Sequence, residues 1–257
     1  MNIKKIRNKT LPAICVSLVF CLAALGGCGI SKASTAETDT PEPIQWCNGT
    51  YAVLTEINNG DSSLFGGMAH NSINRQTVLN ALDESWEVTT KEELDEMIGS
   101  LTVGRHNPRF LQEAREYGIT SMSASEFEAA LEGVESREDV NYFQNMFDAY
   151  QQFGESAIMG WDLSRAVQLC GYGYIADFYT YEDATAKALE ICGQIQGTFD
   201  SWDDFFASYL YGYVYWSEDD VEDPDSSYVK RVNILKDLKD DETSPLNLDW
   251  NLDLSIG

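Results

Sequence analysis

Gly160-Trp161-Asp162-Leu163-Ser164-Arg165-Ala166-Val167-Gln168-Leu169-Cys170-Gly171-Tyr172-Gly173-Tyr174-Ile175-Ala176 is the stretch that decides the fold. Its apolar residues recur at the helical period. Leu163, Ala166, Val167, Cys170 and Tyr174 form one stripe, while Leu169, Tyr172 and Ala176 continue the face that Asp162 and Arg165 begin. A helix that is apolar on two faces must be largely enclosed by other elements. Asp162 and Arg165, three positions apart, can pair along such a helix. Asp162 also stands near the positive end of the helix dipole. The expectation is an ion pair, at least half buried, that organises the core; the alternative is an acid that lines a pocket. Gly171 to Ala176 also spells GxGxxA, but a dinucleotide loop needs a strand before it and a helix after it. Inside a helical stretch the glycines suit close helix packing instead.

Working outward, helix signals dominate and convincing strands are absent. Thr90-Lys-Glu-Glu93 and Ser123-Ala-Ser-Glu126 are capping boxes. Asn107-Pro108 reads as an N-cap followed by a first-turn proline, with Gly118 as the stop. Val140, Phe143, Phe147 and Tyr150 keep the helical period across 138–153. Thr180 and Ser201 are N-caps for segments 181–196 and 201–216, and a weaker helix spans about 227–237. Short connections and no internal repeat predict a compact, single-domain, all-α bundle of roughly eight or nine helices over residues 46–257.

Ahead of the bundle the composition changes. Residues 1–10 hold Lys4, Lys5, Arg7 and Lys9, and the first acid anywhere is Glu37. Leu11 to Leu25 is a nearly unbroken apolar run, short for a spanning helix, which needs about 20 residues. This is the layout of an export signal. Leu25-Gly26-Gly27-Cys28 resembles the lipobox of bacterial lipoproteins. That resemblance implies a signal peptide over 1–27 and acylation of Cys28, with the domain held at the cell membrane, outside the cytoplasm. Residues 29–45 are small, polar and proline-containing, so 28–45 reads as the lipidated cysteine and a flexible tether. The bilayer is then a partner through the acyl chains.

The chain carries 17 Lys and Arg against 42 Asp and Glu, a formal charge of −25. Loss of residues 1–27 removes four bases and no acid, which takes the charge to −29. Such a surface repels phosphate, so nucleic acid is excluded as a partner. With only His70 and His106 present, multi-histidine metal sites are excluded too, and no metal or other cofactor is expected. Beyond the signal and Cys28, the cysteines are Cys47, Cys170 and Cys192, an odd number with no CxxC. Cys170 and Cys192 fall on consecutive helices, within possible bridging distance.

Gly160-Trp-Asp-Leu-Ser-Arg-Ala166 resembles the WDxxRA signature of the DUF1266 family, a bacterial domain of unknown function. Ser201-Trp-Asp-Asp-Phe205, continuing to Tyr209-Leu-Tyr-Gly212 and Trp216, resembles that family's second block. Weaker echoes are Trp86-Glu-Val88, Gly104-Arg-His106, Ser244-Pro-Leu246 and Trp250. The likeness covers about residues 80–250 and implies a fold without an activity.

Two function classes follow. The first is a non-catalytic interaction domain whose acidic exterior suits an envelope protein with a basic surface. The second is an acid-rich hydrolase acting on an envelope glycan, which would use paired carboxylates beside aromatic walls. Trp161, Trp202 and Trp216 are the candidate pocket aromatics, and His106 and Asp203 the candidate catalytic groups. The acid run 217–225 mimics the start of a calcium loop but has Tyr228 and Ile234 where glycine and glutamate are required. A solvated loop that caps the next helix is the preferred reading.

Overall fold

The computed structural model describes residues 40–256, and every regular element among them is helical. The signal, Cys28 and residues 29–39 of the tether lie outside the described residues. Eleven α-helices are present among those described, in the order α1 (Glu42–Thr50), α2 (Ala52–Ile57), α3 (Ser72–Trp86), α4 (Lys91–Thr102), α5 (Asn107–Glu116), α6 (Ala124–Leu131), α7 (Arg137–Phe153), α8 (Met159–Ile175), α9 (Tyr181–Thr198), α10 (Trp202–Ser217) and α11 (Ser227–Asp240). The surplus over eight or nine comes from α1 to α3. Helix α1 starts behind Pro41, inside the expected tether, because proline pre-sets the first helical turn. Helix α3 buries only Val78 and Leu82, so its apolar period is too sparse to read.

Where local chemistry decides, the elements begin as expected. Thr90 and Ser123 form complete capping boxes with Glu93 and Glu126. Thr180 and Ser201 accept from the backbone N–H groups of Asp183 and Asp204. Helix α5 departs from this rule. Asn107 is its first helical residue and not its cap, and the residue before it, His106, makes no side-chain cap bond.

Helix α8 is the axle of the fold, packing against α4, α9 and α10. Every residue from Gly160 to Gly171 is buried. Two glycines let α8 and α10 approach. A β-carbon at Gly160 would lie 2.6 Å from the Phe205 carbonyl oxygen, and one at Gly212 would run into the Trp161 side chain. Gly171 serves a different neighbour: a β-carbon there would lie 2.5 Å from the Gly66 α-carbon. Gly171 thus serves a close approach, but to the loop residue Gly66 and not to another helix.

The apolar interior has two parts. The larger is built around α8, α9 and α10 and includes Trp46, Tyr51, Leu82, Leu94, Leu163, Phe205 and Tyr209. The smaller, formed by α5, α6 and α7, centres on Phe110, Phe127, Phe143 and Phe147. Phe127 and Phe147 stack with ring centroids 4.1 Å apart.

Alanine at Gly160 forces a methyl group against backbone that cannot rotate away. Gly160→Ala should cost about 1–3 kcal/mol, the range for overpacking, and should lower the melting temperature by several degrees. Gly193→Ala, where nothing lies within 4 Å of the new carbon, should be neutral or slightly stabilising. Thermal melts of both variants check this; equal melting for the two would show that the α8–α10 contact tolerates a methyl group.

Candidate functional site: the buried Asp162 cluster

Asp162 lies one turn into α8, fully enclosed at 0% exposure, with Arg165 only 7% exposed. The carboxylate faces the start of α5, where the first N–H groups of the helix have no partner within the helix. Its Oδ2 accepts from the backbone N–H groups of His106 at 2.8 Å and Asn107 at 3.1 Å. Asp162 therefore caps α5 from a different helix, a task the sequence assigned to Asn107. Freed from capping, Asn107 fastens the entry to α8. Its amide donates to the Glu155 carbonyl at 2.7 Å, and its Oδ1 accepts from the Ile158 N–H at 3.0 Å.

The second oxygen of Asp162 serves two side chains. Oδ1 lies 2.6 Å from His106 Nδ1 and 2.9 Å from Arg165 Nη2. A carboxylate only accepts, so Nδ1 carries the proton and donates to it. Arg165 Nη2 also lies 2.9 Å from Nδ1, but both are then donors converging on one oxygen. Arg165 is locked further by Nε donation to the Trp161 carbonyl at 3.1 Å. Its guanidinium lies 4.1 Å from the centroid of the Trp161 ring and 5.6 Å from that of Trp86. The expected ion pair is present, and it forms one part of a four-donor arrangement around a buried carboxylate.

The electrostatics follow from burial. Desolvation pulls the His106 pKa down, the hydrogen bond to Asp162 opposes this, and the Arg165 charge adds to the lowering; the result lies below the usual value. Burial pushes the Asp162 carboxyl up, but the His106 hydrogen bond and the Arg165 charge outweigh it and hold the group ionised. Burial pushes Arg165 down to about 10, still protonated at neutral pH. The cluster is thus a neutral imidazole between a carboxylate and a guanidinium. Its chemical capacity is confined to His106 Nε2, which has no hydrogen-bond partner among the described residues and whose side chain is 23% exposed.

The other candidates are dispersed. Trp161 and Trp216 are neighbours, with centroids 5.8 Å apart, and Trp216 is 42% exposed. Trp202 belongs elsewhere: it packs on Trp46 at 4.7 Å and Trp250 at 5.1 Å and donates to the Leu248 carbonyl. The three tryptophans therefore do not wall one pocket. Asp203 has an 80% exposed side chain, paired with Lys239 of α11, whereas Asp162 is wholly enclosed. The acid run is anchored as well as solvated. Asp220 and Glu222 pair with Arg137 of α7, and Asp219 accepts from the Tyr228 N–H at the start of α11. No three-residue set of His, Cys, Asp or Glu fit to hold a metal occurs among the described residues. Cys170 and Cys192 are not bridged: the Cys192 sulfur lies 2.7 Å from that of Cys47, while Cys170 donates to the Ala166 carbonyl.

The WDLSRA stretch is thus occupied in joining α8 to α5, and the matching of the chain to known families covers that same span. The sequence profile of DUF1266, a protein family of unknown function, matches residues 81–250. The chain belongs to the DUF1266 family. No curated protein and no solved structure matches it. The family span takes in α4 to α11 and most of the Asp162 cluster's surroundings, and it leaves α1 and α2 outside.

A feature that sequence reading missed lies at that boundary. A groove of about 600 Å³ runs between the α2 region and α11. Glu56, Asp61, Asp237 and Asp241 line it, Ile234, Leu238 and Pro245 contribute apolar surface, and no basic side chain is among its lining residues. Only the four-residue spacing of Asp237 and Asp241 hinted at it; Glu56 and Asp61 come from a remote part of the chain.

Three outcomes follow for the cluster. Asp162→Ala leaves Arg165 buried without its counter-ion and α5 without its cap, and should cost roughly 3–5 kcal/mol in urea unfolding. The double variant Asp162→Ala, Arg165→Met should cost less than the sum of the two single changes; strict additivity would show that the two do not interact. Acid should also unfold the protein. His106 titrates lower in the fold than in the unfolded chain, so its contribution to stability falls as pH drops below about 6.5. Asp162, also lowered, keeps its contribution until pH falls past the unfolded carboxylate value toward its own. Melting temperature should therefore decline from about pH 6.5 downward, with a shallower initial slope in His106→Gln.

Proposed function

We propose that this chain is an exported, lipid-anchored binding domain that holds a partner carrying a basic surface. The observation that carries the reading is the acidic groove. Four acidic residues line a cleft that contains no cationic lining residue, beside apolar surface supplied by Ile234, Leu238 and Pro245. Asp61 and Asp241 each also accept from a turn neighbour, Ser63 and Thr243. A lysine or arginine side chain matches that combination, with an aliphatic stem for the apolar surface and a charged head for the rim. Long-range attraction by a processed chain of formal charge −29 speeds such an encounter and makes it salt-dependent.

The lipid anchor rests on the sequence before residue 29: a basic start, an apolar run and Leu25-Gly26-Gly27-Cys28. Two acyl chains on Cys28 would retain the domain at the membrane, where one alone would be marginal. The excess of acid would keep the domain off an anionic lipid surface. No observation favours the glycan-hydrolase alternative. The Asp162 oxygens are taken up by four N–H donors inside the protein, and Asp203 is an exposed partner of Lys239.

The anchor and the groove are tested separately. Cys28→Ala should abolish incorporation of radiolabelled palmitate and leave the precursor unprocessed; labelling equal to wild type would dismiss the anchor. For the groove, a lysine-rich peptide should bind at low salt and be released at high salt. Glu56→Gln with Asp237→Asn should weaken it, by about threefold per carboxylate removed. A parallel capture from detergent-solubilised membranes should show the same salt dependence. Cleavage of purified cell-wall glycans, lost in a folded Asp203→Asn variant, would replace binding with catalysis.

A further inference from the structure

Cys47 on α1 and Cys192 on α9 are both completely buried, and their sulfurs are 2.7 Å apart. Non-bonded carbon atoms rest at about 3.5–4.0 Å, and sulfur is the larger atom. The two are free thiols whose sulfurs lie inside non-bonded contact but beyond the roughly 2.05 Å of a covalent bond. Their surroundings hold them there. Tyr51, one turn beyond Cys47, donates to Asn48 Oδ1 at 2.6 Å and accepts from the Gly66 N–H at 2.8 Å. Trp46 is clamped between Trp202 and Trp250.

We propose that Cys47 and Cys192 form a disulfide bridge that staples α1 onto the family domain. The bridge would close a loop between residues 145 positions apart, which restricts most of the unfolded chain. It would also explain the odd cysteine count, since Cys170 is left as a thiol. The proposal rests on export for its oxidant, a CxxC dithiol–disulfide oxidoreductase of the envelope. One cysteine thiolate attacks the oxidoreductase disulfide and releases one of its sulfurs as thiolate. The second cysteine thiolate then attacks the chain's own sulfur in that mixed disulfide and releases the other. Two S–H bonds of this chain are lost and one S–S bond forms; two electrons and two protons end on the oxidoreductase as a dithiol. Both sulfurs are completely buried once α1 has docked, and burial also pushes the Cys192 thiol well up, so the exchange belongs to a stage before α1 docks.

The test is peptide mapping by mass spectrometry of the chain taken from cells into an alkylating reagent, without reductant. A second arm uses the same chain, reduced, unfolded and refolded in a glutathione redox buffer. A linked peptide joining Cys47 to Cys192, with Cys170 alkylated, is the expected result in both arms. The linked peptide after refolding, but alkylated thiols from cells, would support the bridge and remove the export reading. No Cys47–Cys192 peptide in either arm would overturn the proposal.

Discussion

The carboxylate of Asp162 is a full charge with no exposure to water, and the structure around it is arranged to make that tolerable. Burying an unpaired carboxylate is costly enough that such groups normally acquire a proton instead. Here four N–H donors converge on two oxygens: the backbone of His106 and Asn107, the His106 ring and the Arg165 guanidinium. Two of those donors are the otherwise unpartnered end of α5. One interaction thus solves two problems, an open helix terminus and a buried charge. It also fixes the position of α5 relative to α8, and with it the placement of the smaller core on the larger one. Asn107 reinforces the joint by tying the same corner to the backbone that leads into α8.

Packing around α8 depends on a second constraint, which is space. Gly160 and Gly212 remove side-chain bulk on opposing surfaces of α8 and α10, where Gly160 meets the Phe205 carbonyl and Gly212 makes room for Trp161. Trp161, Tyr209, Tyr213 and Trp216 form one aromatic cluster at this contact. Trp46, Trp202 and Trp250 form another, and draw the first helix and the last described segment onto α10. The aromatic content that could have suggested a glycan-binding wall is divided between these clusters. The acidic groove beside α11 lies away from the WDLSRA and SWDDF segments, whose residues are committed to holding helices together.

What this chain's sequence determined by itself was whatever a single helical turn can express. Thr90 with Glu93, Ser123 with Glu126, and the Asp162–Arg165 pair each span three residues, and all are formed as their spacing implies. The two-sided apolar pattern of residues 160–176 likewise placed α8 at the centre, because a helix cannot leave two apolar faces in water. The family followed from the same segments. Tertiary structure decided the pairings whose members are distant in the chain. His106 and Asp162 lie 56 residues apart, and Cys47 and Cys192 lie 145 apart. Asn107 looked like a cap because nothing local revealed a stronger acceptor arriving from α8. Cys170 was a possible partner for Cys192 because adjacent helices were the only neighbours a linear reading could supply. The four acids of the groove are ordinary surface residues until α2 and α11 are brought side by side. Local chemistry selects helices one turn at a time, whereas which helix ends, thiols and charges meet is settled only when apolar faces dock.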